Sequence, residues 1–225
     1  MRSQKYNFLL KKQLITTADG SHSLFVPELN ENYHSKHGAI AEAIHVFIKN
    51  GLQSHPKQKL NILEIGFGTA LNTLLTLESV RSKKVHYTTL EPFPIEREIY
   101  CKLNFHDFVK SDQSTFHRLH ECDWEKDINL KEFFTLCKKK IKLKEFTTKK
   151  KFDIIYFDAF APEKQIEMWE KSVFEQCYNL LNKNGFLVSY CAKGVVKRTI
   201  KSVGFEIENL KGPPGKREMI RANKK

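Results

Sequence analysis

Apolar residues gather in three short, nearly continuous runs: Leu60-Asn61-Ile62-Leu63-Glu64-Ile65, Phe152-Asp153-Ile154-Ile155-Tyr156-Phe157 and Phe186-Leu187-Val188-Ser189-Tyr190-Cys191. Runs of this length without strict alternation read as strands buried on both faces of a parallel sheet. A further strand is expected over 85–91. Apolar residues at helical spacing predict helices over 69–77, from Pro94 to about Asn104, over 163–181 with Asn184-Gly185 as its stop, and over 193–203 with Gly204 as its stop. Strands alternating with helices define an α/β fold. The runs 205–210 and 218–222 flank Gly212-Pro213-Pro214-Gly215 and add a terminal antiparallel hairpin.

The first fifty residues follow a different pattern. Short β-prone runs at 13–17 and 23–26 enclose Asp19-Gly20, which marks a hairpin. Ile40, Ala43, Ile44, Phe47 and Ile48 share one face of a helix over 39–49, with Ser35 as its candidate cap. The expected organisation is an N-terminal hairpin-and-helix appendage over 1–50 and a main domain over 51–225, with a basic insertion around 123–151. Within the less legible stretch the pattern predicts a strand over 116–122, a turn over 124–127 and a helix over 130–136.

Composition narrows the class. A chain of 225 residues accommodates one main domain, and no apolar run approaches the roughly 20 residues needed to cross a bilayer. The start, Met1-Arg2-Ser3-Gln4-Lys5, lacks an apolar signal core, so a cytoplasmic protein is expected. Five scattered cysteines without a C-x-x-C pair read as free thiols, and His34 with His37 lacks a third ligand, so no metal is expected. A net charge of +12 favours an anionic partner, nucleic acid before membrane, although a lysine bias can also reflect background usage. The lysines concentrated between 138 and 151 are either a solvated face or a seat for phosphates.

The candidate chemistry begins where the first long strand turns into a helix, at Glu64-Ile65-Gly66-Phe67-Gly68. Gly66 and Gly68 let backbone approach a ligand, and the helix beyond offers unpaired N–H groups. A lone Gly-x-Gly is also the mark of a tight turn that binds nothing. A dinucleotide fingerprint would need glycine where Leu71 stands, and no Gly-Lys-Ser/Thr is present. Glu91 closes the next strand, where a ribose diol would find its bidentate acceptor; its alternative is an exposed strand-end acid. Asp158 closes the strand over 152–157. It is placed to accept a hydrogen bond from an attacking amine, with Phe160 as a stacking face and Pro162 stiffening the loop; its alternative is a helix cap.

The Glu-x-Gly-x-Gly pattern resembles motif I of class I S-adenosylmethionine methyltransferases, and the segment from Asp158 to Pro162 resembles their amino-group motif. Tyr33-His34-Ser35, the run from Leu63 to Asn72, Glu91-Pro92-Phe93-Pro94, Asp158-Ala159-Phe160-Ala161-Pro162, Tyr190-Cys191-Ala192-Lys193-Gly194 and Lys216-Arg217-Glu218-Met219 together resemble the tRNA 5-methylaminomethyl-2-thiouridine methyltransferases. That family comprises the methyltransferase half of bifunctional MnmC proteins and stand-alone MnmD enzymes, and the likeness runs from about Phe8 to Ala222. It implies a Rossmann-like domain of seven strands with the last inserted antiparallel. It also implies S-adenosylmethionine as cofactor, held by Tyr33, Ser35, Glu64, Gly66, Phe67, Gly68, Asn72, Glu91, Pro92 and Asp158. Asp158 would be catalytic. The substrate would be the 5-aminomethyl group of a wobble uridine, with the tRNA anticodon stem-loop held by Phe160, Pro162, Lys193, Lys197, Arg198, Lys216 and Arg217. No oxidase half follows Lys216-Arg217-Glu218-Met219, so a separate oxidase or upstream wobble-modifying enzymes would supply the amine. The family's Gly-Asp-Ile-Asn-Glu segment, whose acid holds the adenine, has no clear copy here. Rival readings are an aminopropyltransferase, a small-molecule amine methyltransferase and a non-catalytic RNA-binding module.

Overall fold

The computed structural model describes residues 11–80 and 83–225; the first ten residues, including the expected start of the family likeness near Phe8, lie outside them. The chain opens with β1 (Gln13–Thr16), β2 (His22–Val26) and β3 (Glu31–Asn32), a small antiparallel sheet in that order. Next comes α1 (Ala39–Ala43), which continues as a π-helical turn over Ile44–Lys49. Its N-cap is Gly38, not Ser35, and no side chain of Gly38 can serve. The donors are satisfied from the β1–β2 turn instead: Thr17 Oγ1 accepts from Ala39 N at 3.3 Å, Ser21 Oγ from Ile40 N at 3.4 Å and Asp19 Oδ2 from Ala41 N at 3.0 Å. Unpaired helix N–H groups must find acceptors somewhere, and here the sheet supplies them.

The main sheet is built from β4 (Lys59–Ile65), β5 (Lys84–Leu90), β6 (Asp127–Lys131), β7 (Phe134–Lys139), β8 (Phe152–Phe157), β9 (Leu181–Ser189), β10 (Glu206–Lys211) and β11 (Glu218–Asn223). Their spatial order is β10-β11-β9-β8-β4-β5-β7-β6. The strands from β9 to β7 in that order are parallel, while β11 runs antiparallel between β9 and β10. The helices are α2 (Leu71–Ser79), α3 (Arg97–Tyr100), α4 (Gln113–Glu121), α5 (Lys171–Leu180) and α6 (Gly194–Ser202). One buried cluster, with Phe47, Ile62, Leu74, Tyr87 and Tyr156, lies on the α1–α2 face; another, with Ile155, Phe157, Phe174 and Ile200, lies on the α5–α6 face. The chain leaves β4 for β5 in one direction and returns to β8 on the other side. Such a reversal opens a crevice at the carboxyl ends of the strands.

Several expectations change. The run expected as a strand over 116–122 belongs to α4, whose N-cap Asp112 accepts from Thr115 N at 2.8 Å and which buries Phe116 and Leu119. The expected helix over 130–136 is the β6–β7 hairpin, so the sheet has eight strands where seven were expected. Leu130 and Phe134 sit at a spacing that fits a helical face equally well, but Lys131 pairs across with Phe134. The expected helix over 163–181 starts only at Lys171, because residues 159–169 form a loop pinned by Trp169 Nε1 donating to Phe160 O at 2.8 Å.

Candidate active site

The glycine turn after β4 is fixed by the neighbouring strand ends. Gly66 N donates to Leu90 O at 3.0 Å, and Asp158 N donates to Ile65 O at 3.2 Å. Gly66 has φ +93°, and a Cβ there would lie 2.9 Å from Asp158 O, so only glycine lets the two strand ends close up. Gly68, at φ +48°, lies against the Tyr33 ring, and its N–H donates to Glu91 Oε2 at 3.0 Å. Glu91 Oε1 accepts from Phe93 N at 2.8 Å, which orients the carboxylate at the head of β5, beside Pro92. Burial raises the Glu91 pKa, and the two backbone donors and Lys12 oppose that rise.

Asp158 stands at the head of β8. Its Oδ2 accepts from Asn72 Nδ2 at 2.8 Å. Asn72 Oδ1 is buried without a hydrogen-bond partner, a polar atom left open at the crevice. Burial pushes the Asp158 carboxyl up to about 7; the Asn72 bond and the Lys216 charge pull it down, and the Glu42 charge pushes it up. Phe160, two residues beyond Asp158, meets Tyr33 edge to face at 5.1 Å, and Tyr33 lies against the Gly68 turn.

Glu42 and Tyr190 complete the site, and neither was named as a site residue from the sequence. Glu42 Oε2 accepts from Ser35 N at 3.0 Å, and Oε1 pairs with Lys216 Nζ. Lys216 Nζ lies 3.9 Å from the centre of the Tyr190 ring, whose hydroxyl donates to Ala159 O at 2.9 Å. Glu42 reads from the sequence as the polar face of a helix. Its signal would have been its burial, with 8% exposure, which periodicity alone does not report.

Two expected cofactor residues face inward. Glu64 is fully buried between β4 and α2, accepts from Thr73 Oγ1 at 3.0 Å and is raised by burial to about 8, so it braces the turn from below. Phe67 turns away to meet the rings of His120 at 5.3 Å and Trp124 at 6.1 Å. Behind them Lys138 is fully buried, donating to His120 O at 2.6 Å and lying 4.7 Å from the Trp124 ring. At least this lysine of the basic stretch is neither a solvated residue nor a phosphate seat.

The remaining expected substrate residues divide. Pro162 lies on the loop with Phe160. Lys193 pairs with Glu163, and Lys197 with Glu218 at 3.0 Å, whereas Arg198 and Arg217 are exposed and make no ion pair with an acid among the described residues. Among the described residues no group of three or more metal-ligating side chains occurs, and no helix is long and apolar enough to cross a membrane.

The doubly wound sheet with its antiparallel β11, the glycine turn and the acids heading β5 and β8 define a class I methyltransferase. The chain belongs to the S-adenosyl-L-methionine-dependent methyltransferase family whose model matches residues 101–225. A bifunctional protein for tRNA 5-methylaminomethyl-2-thiouridine biosynthesis, MnmC of Cupriavidus metallidurans, is 30% identical over 87% of the chain. The corresponding protein of Pseudoalteromonas atlantica is 31% identical over 84% of it. The chain spans only about a third of these relatives, 31% and 30% of their lengths. Among solved structures, MnmC2 from Aquifex aeolicus superposes with a TM-score of 0.73 at 24% identity, covering 95% of this chain and 70% of that one. Spermidine synthase from Thermotoga maritima does so at 0.50 and 14% identity, covering 96% and 75%.

The cofactor is S-adenosylmethionine. The geometry fits it: the Glu91 carboxylate at the end of β5, oriented by Gly68 N and Phe93 N, offers the acceptor a ribose diol needs, beside the glycine turn.

Proposed function

We propose that the protein methylates the 5-aminomethyl nitrogen of the wobble uridine, with or without 2-thiolation, in tRNA. The observation that carries this reading is the acid at the end of β8: Asp158, steered by Asn72 and followed closely by Phe160, whose ring meets that of Tyr33. The names of the curated relatives point to the same nucleoside.

S-adenosylmethionine supplies an electrophilic methyl carbon. The protein's task is to present a neutral nitrogen to it. An ammonium has no lone pair, and Asp158, titrating near neutrality, can take a proton from the incoming amine and hold a remaining N–H so that the lone pair faces the methyl donor. Tyr33 and Phe160 would grip the pyrimidine, while Glu91 and the glycine turn hold the ribose of the cofactor. A polyamine would need several free carboxylates. The acid nearest Asp158 on α1, Glu42, is instead committed to Lys216, which disfavours aminopropyl transfer to a polycation. Arg198 and Arg217, with Lys193 and Lys197, would receive the anticodon stem-loop phosphates, and the reaction belongs to the cytoplasm, where tRNA resides; Lys216, expected among them, is committed to Glu42 and the Tyr190 ring instead.

The test is incubation of the purified protein and S-adenosylmethionine with tRNA bearing the wobble aminomethyl group, followed by mass spectrometry of the nucleosides. A methyl group gained on that nucleoside alone is expected. Methylation of a small amine, or aminopropyl transfer, with the tRNA untouched would overturn the reading.

A further inference from the structure

Glu42 and Asp158 reach the crevice from opposite parts of the chain, α1 and the head of β8, and a low-dielectric pocket does not hold two carboxylates ionised without compensation. Lys216 supplies it. Its ammonium pairs with Glu42 and rests on the Tyr190 face, where the ring quadrupole holds it further. Its position is fixed at both ends. The loop between β10 and β11 is closed by Gly212 N donating to Arg217 O at 3.1 Å and by Lys216 N donating to Pro213 O at 2.9 Å, and the Tyr190 hydroxyl is anchored next to Asp158, on Ala159 O.

Resting on the reading that Asp158 receives the substrate amine, we propose that Lys216 is a positioning residue acting through Asp158: clasped by Glu42 over Tyr190, its ammonium keeps the Asp158 carboxylate ionised to accept the amine proton, while Glu42 acts in the opposite sense. The other groups facing Asp158 do not replace it. Asn72 from α2 is neutral. Glu64 from β4 is raised to about 8 by burial, which disfavours its charged form, and it bonds Thr73. Tyr190, raised far above its ordinary range by burial, is uncharged too. The proton balance is simple: the N–H bond of the substrate ammonium breaks as an O–H bond forms on Asp158; the neutral nitrogen then bonds the methyl carbon as the bond from that carbon to the sulfonium sulfur breaks, the electron pair staying on sulfur as a neutral thioether; the nitrogen regains a positive charge, and Asp158 returns its proton to water.

The experiment reads Asp158 directly, without substrate. Carboxyl carbon resonances of aspartate-labelled protein are titrated against pH, and the Asp158 signal is assigned by its loss in D158N. The Asp158 midpoint should rise by about one pH unit in K216Q, stay in place in K216R, fall by about as much in E42Q and lie close to the wild type in E42Q/K216Q. An unmoved midpoint in a K216Q protein with a native spectrum would overturn the proposal, as would K216Q and E42Q moving it in the same direction. K216Q, at a half-buried position, decides the matter alone if E42Q folds poorly. The acid limb of the single-turnover methylation rate should follow the midpoint; a limb that stays put while the midpoint moves would remove Lys216 from proton transfer. Failure of tRNA to be methylated at all would leave the titration result standing and would count against the proposed substrate only.

Discussion

Asp158 combines a carboxyl that burial pushes up to about 7 with a fixed hydrogen-bond partner in Asn72. Its removal should therefore act on the chemical step more than on cofactor binding. Asp158→Ala is expected to lower kcat roughly 100-fold or more. Asp158→Asn keeps a carbonyl acceptor and should lose less if orientation dominates, and as much if proton uptake is required. Single-turnover rates on aminomethyl-bearing tRNA, with cofactor affinity by calorimetry, separate these outcomes; near-normal turnover by the alanine variant would mean that another group orients the amine. Residues such as Gly66, Gly68, Glu91 and Asp158 were legible in the sequence because each sits where an apolar run stops, so strand pattern and chemistry point to the same place. Glu42 and Tyr190 were not, because their contacts arise from pairing with the distant Lys216, and a motif does not say that the Glu64 side chain lies buried against Thr73.

At the scale of elements, His34 ties the small sheet to the glycine turn, bonding Ser23 Oγ at 3.0 Å and Thr69 Oγ1 at 3.1 Å. Burial holds its pKa down at about 4, against some pull from Asp19. The unfolded chain then binds a proton near pH 6.5 that the folded chain refuses, so stability is full above that value and falls as pH drops towards 4. Thermal melts should show Tm declining through this window, and His34→Gln should flatten part of the decline, by a few degrees. His120, held down to about 3, acts in the same direction and would leave a residual slope. An unchanged slope in His34→Gln would show that the sheet docks independently of this histidine. The strands β4, β8 and the second half of β9 could be read from sequence because each carries a nearly continuous apolar run. The β6–β7 hairpin and α4 could not, since Leu130 and Phe134 satisfy helix and hairpin alike, and the cap at Asp112 outweighs the β-prone look of the residues after it.

At the scale of the molecule, a net charge of +12 does not mean twelve available cations. Lys193, Lys197 and Lys216 are engaged with Glu163, Glu218 and Glu42, whereas Arg198 and Arg217 are exposed. Each arginine that meets a phosphate releases counterions, so tRNA affinity should fall steeply with salt, and R198A and R217A should each flatten the log–log slope by about 0.7 to 0.9. Lys197→Ala should change it less, because that cation must first leave Glu218. Filter binding across a salt series measures all three, and a flat wild-type response would remove nucleic acid from the surface. The remote capping of α1 has a wider consequence. Thr17, Asp19 and Ser21 hold the start of the helix that carries Glu42, and Glu42 holds Lys216. Structural modularity therefore stops short of this hairpin: a swap or deletion that spares every residue of the crevice would still reach it, through the bonds that hold the start of α1 and the ion pair that Glu42 makes from it.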